Sequence, residues 1–178
     1  PIATTTTCCP AAGTIWYVDA SAGSGGTGTS WGCAFQHLQD AIAAAGSGEQ
    51  IWVASGTYTP DQGTGYTDDD RSHSFVMKNN LAIYGGFSGG ETMLSQRNPD
   101  PATNGTVLSG EIGAAGNADN SYHVVFNNNN SLNSSAILDG FTISGGNSNG
   151  SPPYHRGGGM YNLNSSPSVS NCYFIANF

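Results

Sequence analysis

Short apolar runs recur along most of this chain, and Gly, Asn, Asp or Ser separates most of them. The runs are rich in β-branched and aromatic residues, which favour strands, and the residues between them are typical of turns. They are IWVA at 51–54, SFVM at 74–77, LAIYGGF at 81–87, TVLSG at 106–110, YHVVF at 122–126, AILDGFTISGG at 136–146, GGMYNL at 158–163 and SVSNCYFIAN at 168–177. This pattern predicts an all-β body.

The order of these runs favours stacked turns over paired hairpins. Their apolar centres recur about every 14 to 17 residues, close to the roughly 20-residue unit of a coiling solenoid. These centres are Val107, Val124, Leu138, Ile143, Met160 and Phe174. An antiparallel sandwich is the alternative, but Asn-Gly hairpin signals are rare and the apolar positions repeat in register. We therefore expect a parallel solenoid.

One segment near the start, CAFQHLQDAIAAAGSG, is predicted to be a helix. Its apolar residues step by three and four positions, at Phe35, Leu38, Ile42 and Ala45. Glycines after this stripe end the helix. A short strand is predicted before it, in TIWYVD at 14–19.

Two motifs resemble known β-helix families. The run LQDAIAAAGSGEQIWVASGTY is similar to the opening segment of the pectin-lyase-like superfamily, in which a helix caps the solenoid and a strand ending in Gly-Thr-Tyr (Gly56 to Tyr58) begins the first coil. The resemblance implies a right-handed parallel β-helix with a short N-terminal capping α-helix. It covers roughly residues 34–178.

The C-terminal part resembles the repeats of polymorphic outer-membrane proteins and related surface adhesins. Those repeats carry a Gly-Gly-apolar element and a Phe-x-x-Asn element. The corresponding residues are Gly158, Gly159, Met160, Phe174 and Asn177. The resemblance implies an extracellular or cell-surface structural protein, and its stacked Asn residues are expected to form hydrogen-bonded ladders between coils.

The charge balance excludes several partners. Four basic residues against twelve acidic ones give a net charge of −8, which argues against nucleic acid and anionic membrane surfaces. No apolar stretch is long enough to span a bilayer, so no membrane insertion is expected. Only 9% of residues are charged, and a polar uncharged surface indicates a secreted protein in which disulfides persist.

Three regions are predicted: an extended N-terminal arm at 1–13, a strand and helical cap with the first coil at 14–60, and β-helix coils at 61–178. The arm contains TTTTCC, which favours an extended backbone. The disulfide candidates are Cys8, Cys9, Cys33 and Cys172. Cys33 pairs with Cys8 or Cys9 inside one chain, or an arm cysteine pairs with Cys172 of another subunit; the sequence leaves both open.

The candidate catalytic and metal-binding residues are few. Asp68, Asp69 and Asp70, beside Arg71 and His73, are a calcium candidate or a hydrated loop, since adjacent loop residues do not converge by default. Asp139 lacks a second carboxylate in the following coil and is expected to make a turn hydrogen bond. No catalytic residues are predicted, and no cofactor is expected apart from this calcium candidate.

The last run ends at Phe178 without a capping element, so either further coils follow or another molecule covers the edge. The arm is predicted to add as a strand to a neighbour's edge and build a head-to-tail filament, so the expected partners are copies of the chain or other surface proteins. The alternative is a carbohydrate-active β-helix, either a polysaccharide lyase or a sugar-binding module. Sugars would then stack on the N-terminal aromatics, which include Trp16, Tyr17, Trp31 and Trp52.

Overall fold

The structure, a computed structural model, describes residues 15–178. The arm at 1–13, with Cys8 and Cys9, lies outside the described residues. The strands are β1 (Ile15–Val18), β2 (Gln50–Ala54), β3 (Gly56–Tyr58), β4 (Ala82–Phe87), β5 (Thr106–Ser109), β6 (Val125–Asn128), β7 (Ile137–Asp139), β8 (Thr142–Ser144), β9 (Met160–Leu163), β10 (Ser168–Ser170) and β11 (Tyr173–Ile175). The helix α1 spans Leu38–Ala44. Short 3₁₀ turns lie at Trp31–Cys33 and Leu94–Gln96.

The strands form a parallel β-solenoid of about 5 turns. The first sheet has the order β1-β2-β4-β7-β10, the second has the order β11-β8-β5-β3, and the third pairs β6 with β9. Every strand pair within residues 15–178 is parallel. The predicted solenoid is therefore confirmed, and the antiparallel sandwich is wrong.

The length of a turn differs from the spacing read in the sequence. Ser168 stacks on Ile137, so this turn takes 31 residues (168 − 137), whereas Ile137 stacks on Ala82 after 55 residues (137 − 82). The interval of 14 to 17 residues marks the step from one sheet to the next, because a turn passes through more than one face. Loops at 88–105 and 110–124 lengthen the longest turn.

Inward-facing residues stack into continuous columns. In the second sheet, Tyr58, Leu108, Ile143 and Phe174 occupy the same register position on successive strands. In the first sheet the column runs through Ile51, Ile83, Leu138 and Val169. Because each strand presents alternate residues to the interior, these columns carry the apolar core from one turn to the next.

The helix α1 covers the interior at the first turns. Leu38, Ala41 and Ile42 are buried in the same apolar cluster as the strand columns, while Ala43 and Ala44 on the other side are exposed. The predicted capping helix is thus present, although it begins at Leu38. Phe35, predicted within the apolar stripe of the helix, instead pairs with β1, donating its N–H to the Tyr17 carbonyl at 2.9 Å.

The run SFVM is shorter as a strand than predicted. Only Phe75 makes a bridge, to Val125 of β6, and it donates its N–H to the Val124 carbonyl at 2.9 Å.

No helix in the described part of the chain is long and apolar enough to cross a membrane.

Candidate functional site

The clearest candidate for an interaction site is the last-turn edge, which we define as β10, β11 and Phe178. Leu138 and Ile143 are 1% and 0% exposed, but Val169 and Phe174, which stack directly on them, are 37% and 45% exposed. Phe178 is 59% exposed. Within residues 15–178, the same interior columns that form the core are therefore uncovered at this edge and form an apolar row.

Among the described residues, the backbone of β11 pairs with another strand on one side only. In a parallel sheet, successive residues direct their N–H and C=O groups to alternate neighbours. Tyr173 donates its N–H to the Phe141 carbonyl of the preceding turn at 2.9 Å. The N–H of Phe174 consequently points away from β8, where another parallel strand would accept it.

The Gly-Gly-Met and Phe-x-x-Asn elements hold this edge against the turn before it. Phe174 continues the interior column, and Asn177 donates to the Ile143 carbonyl at 2.9 Å while its Oδ1 accepts from the Gly146 N–H at 3.0 Å. A Cβ on Gly158 would lie 2.4 Å from the Phe178 carbonyl oxygen. Glycine is required at position 158 because the backbones of two segments approach each other too closely there to leave room for a side chain.

Asparagines form the expected ladders between turns. Asn127 Nδ2 donates to Asn162 Oδ1 at 2.8 Å, and Asn164 Nδ2 donates to Asn129 Oδ1 at 2.6 Å. Asn127 is fully buried and also accepts from the Met77 N–H at 3.1 Å. One amide therefore connects three consecutive turns, which confirms the predicted role of stacked Asn residues.

The described cysteines occupy opposite ends of the solenoid. Cys33 is 6% exposed beside β1, and its predicted partners Cys8 and Cys9 lie outside the described residues. Cys172 carries a free, half-buried thiol 3.8 Å from the Leu138 carbonyl oxygen. Burial raises the pKa of this thiol, so that little thiolate forms near neutral pH. Both predicted pairings stay predictions.

The three aspartates of the acidic loop do not converge on one point. Asp70 accepts from the N–H and hydroxyl of Ser72, and these hydrogen bonds lower the pKa of its carboxyl. Asp68 Oδ1 accepts from Gln62 Nε2 at 3.2 Å, and Asp69 donates its backbone N–H to Asp61 at 3.0 Å. Within residues 15–178, no group of three or more His, Cys, Asp or Glu side chains is arranged to hold a metal ion.

The basic residue beside the acidic loop also turns away from it. Arg71 donates to the carbonyl oxygens of Asn120 at 2.6 Å and Asn147 at 3.3 Å, and its guanidinium lies 4.2 Å from the centre of the Tyr122 ring. It therefore fastens the loop to the next two turns and is not placed to act as a base beside a calcium ion.

Asp139 has a larger role than a turn hydrogen bond. It forms a 2.6 Å ion pair with Arg97 and accepts hydrogen bonds from Ser170 and Asn171 of the last turn. Burial alone raises the pKa of this carboxyl, but hydrogen bonds from Ser170 and Arg97 outweigh burial and hold it below its usual value. Arg97 lies in a loop 42 positions earlier in the chain, so no local sequence pattern indicates the pair.

The N-terminal aromatics form a packed cluster. Trp52 is 2% exposed and stacks on Phe87 with ring centroids 4.6 Å apart, and Tyr17 contacts both Trp52 and Trp31. A separate cleft of about 660 Å³ lies between α1 and the loop after β3, and its lining includes Phe35 together with the polar residues Gln36, His37, Asp40, Gln62 and Asp68. Comparison of the chain with models of known families, with curated proteins and with solved structures finds no match.

Proposed function

We propose that this chain is an extracellular structural or adhesive β-helix protein that associates through its last-turn edge. The observation that carries the proposal is the exposure of Val169 and Phe174 on columns that are otherwise buried. An apolar row with unpaired backbone groups is the surface to which a further parallel turn or strand adds. The resemblance to surface-adhesin repeats supports the same assignment.

The occupant that we propose is the N-terminal arm of a second copy. Its TTTTCC segment has the β-branched composition of an added strand, and Cys8 or Cys9 would then approach Cys172. A contact between the start of one chain and the last turn of another is heterologous and builds a filament unless it closes into a ring. A disulfide at the contact would fix it covalently.

Light scattering and negative-stain microscopy test this function. We expect the protein to associate with increasing concentration, and both Phe174→Glu and deletion of residues 1–13 to keep it monomeric. Val76→Glu is the matched control, because Val76 is also exposed, at 43%, but lies on the side of the solenoid. A monomer at every concentration, or equal effects of the two glutamate variants, would refute the proposal. Dimers that persist only without reductant would identify the covalent form.

A second candidate is a sugar-binding or polysaccharide-cleaving β-helix, supported by the cleft beside α1, whose lining is about half polar and half apolar. Amide and carboxylate groups of Gln36, Gln62 and Asp40 suit the hydroxyl groups of a neutral sugar. A screen with polysaccharides and calcium for unsaturated products, combined with glycan binding, distinguishes this candidate. Binding that Asp40→Ala abolishes would support it, whereas no binding and no product would exclude it.

A further inference from the structure

A buried carboxylate lies under the acidic loop. Asp61 is 2% exposed, and its Oδ2 accepts from the Asp69 N–H at 3.0 Å and from Gln62 Nε2 at 3.4 Å. Its Oδ1 is buried and has no hydrogen-bond donor among the residues that the structure describes. Leaving an ionised oxygen in this state is costly, because burial removes its water without a replacement.

Within residues 15–178, no basic side chain forms an ion pair with Asp61. Among the described residues, Arg97 forms an ion pair with Asp139, and His73 Nε2 lies 3.7 Å from Asp70 Oδ2. Arg71 is held by carbonyl oxygens of later turns, and Lys78 by those of Ile42 and Ala45. Asp61 Oδ1 therefore needs a partner from outside the described residues, and a hard cation suits a carboxylate oxygen.

The surroundings of Asp61 add negative charge. Gln62 Nε2 bridges Asp61 and Asp68, so these two carboxylates lie on opposite sides of one amide group. Asp69, whose N–H binds Asp61, holds a left-handed backbone with φ of 64°. Its own Oδ1 lies near Gly113, where Asp119 Oδ2 also approaches. The side chains of Asp69 and Asp119 therefore approach each other beside Gly113, and both bring negative charge to this part of the molecule.

We propose that Asp61 Oδ1 is the anchoring ligand of a calcium ion held between Asp61 and the loop at 68–69. The donors are all oxygens, which hard divalent cations prefer, and no thiol or imidazole takes part. Because three carboxylates are not arranged as a cage, backbone carbonyls and water complete the coordination. Calcium tolerates such an irregular set, whereas magnesium demands a near-ideal octahedron. This ligand set replaces the triplet at 68–70 suggested by the sequence.

The affinity should resemble that of calcium sites in extracellular modules, with a Kd on the order of 0.1–1 mM. At a calcium concentration ten times this Kd, the Tm of the metal-free protein should rise by about 3 °C or more. Magnesium at the same concentration should raise it much less. Isothermal titration of the metal-free wild type with CaCl₂ gives the affinity directly and needs no variant.

Asp61→Asn tests the ligand, since it keeps the shape and removes the charge. It should abolish the calcium-dependent rise in Tm. Asp70→Asn is the matched control, because it removes one charge from the same loop but its carboxylate is committed to Ser72. If Asp61→Asn does not fold, Asp68→Ser, at an exposed position, should weaken calcium binding several-fold.

The proposal is overturned if the metal-free wild type shows neither heat of binding nor a rise in Tm with calcium. Asp61→Asn would then leave stability unchanged or increase it, because no cation would depend on the charge of Asp61. Equal calcium responses of wild type and Asp61→Asn would overturn it as well. The result does not depend on association, so it is separate from the test of the proposed function.

Discussion

The middle turns and the last turn of this solenoid share one register but differ in burial. Leu138 and Ile143 are sealed between neighbouring turns, whereas Val169 and Phe174 at the same positions are more than one-third exposed. The difference does not lie in the residue types, which are apolar in both turns. It shows that in a solenoid the burial of a turn depends on what lies above it.

The first turns show a third arrangement. There α1 places Leu38, Ala41 and Ile42 over the interior, so the columns are covered by a helix and not by another turn. Two ways of covering a column are thus present, a strand and a helix. Within residues 15–178 the last-turn edge has neither, and the same holds for β9 at the edge of the third sheet.

The largest expected effect comes from shortening a middle residue of a column. Ile143→Ala should lower the free energy of unfolding by about 3–4 kcal/mol, because it opens a cavity at a fully buried position. Phe174→Ala removes a larger side chain but should cost only about 1–2 kcal/mol in the monomer, since Phe174 is half-exposed. Urea unfolding of both variants measures the difference. Equal losses would contradict the comparison.

The next effect concerns the ion pair of Arg97 with Asp139, whose carboxylate also accepts hydrogen bonds from Ser170 and Asn171 of the last turn. Asp139→Asn should cost about 2–3 kcal/mol, because Arg97 keeps a nearly buried charge without its partner. Asp100→Asn, in an exposed loop, is the control and should change stability by less than about 0.5 kcal/mol. The lowered pKa of Asp139 adds stability above its unfolded pKa of about 4, which is lost as the pH falls further.

In the asparagine ladder too, a buried residue should contribute more to stability than an exposed one, although both effects are smaller. Asn127→Ala leaves the buried Met77 N–H without an acceptor and should cost about 2 kcal/mol. Asn162→Ala, one turn later and exposed, removes one hydrogen bond and should cost less than about 1 kcal/mol. Thermal unfolding of the two variants, measured in parallel, checks the order. A larger loss from Asn162→Ala would reverse it.

The smallest effect is a dependence of stability on pH. His123 is 2% exposed, stacks on Phe126 and has no partner for Nε2 among the described residues; burial lowers its pKa. The unfolded chain takes up the proton near pH 6.5 and the folded chain only at lower pH, so stability is full above pH 6.5 and falls below it. We expect a loss on the order of 1 kcal/mol between pH 7 and 5.

His123→Phe isolates this contribution. It keeps an aromatic ring against Phe126 but cannot titrate, so unfolding curves between pH 7 and 5 should become flatter than those of the wild type. Carboxyl groups contribute little in this window, because their usual pKa lies near 4. An identical slope in both proteins would assign the pH dependence to other groups.

The sequence predicts the parts of the fold that depend on local patterns. The apolar positions of β4, β5 and β8 and the helix α1 follow from propensity and periodicity. The length of a turn cannot be predicted in this way, because the loops differ in length and the sequence does not indicate which apolar runs share a sheet. The pairing of Arg97 with Asp139 and the burial of Asp61 arise only when distant loops meet. The acidic triplet was visible in the sequence, but the carboxylate beneath it looked like an ordinary loop residue.

Amide hydrogen exchange of the monomer, resolved by residue, tests the central claim most directly. In β8, which lies between β5 and β11, both Thr142 and Ile143 should exchange slowly. In β11, Tyr173 should be protected by its bond to Phe141, while Phe174 exchanges rapidly. Protection of Phe174 should appear only on association. If Phe174 exchanges as slowly as Ile143 in a protein that light scattering shows to be monomeric, the last turn is already covered and the account is wrong.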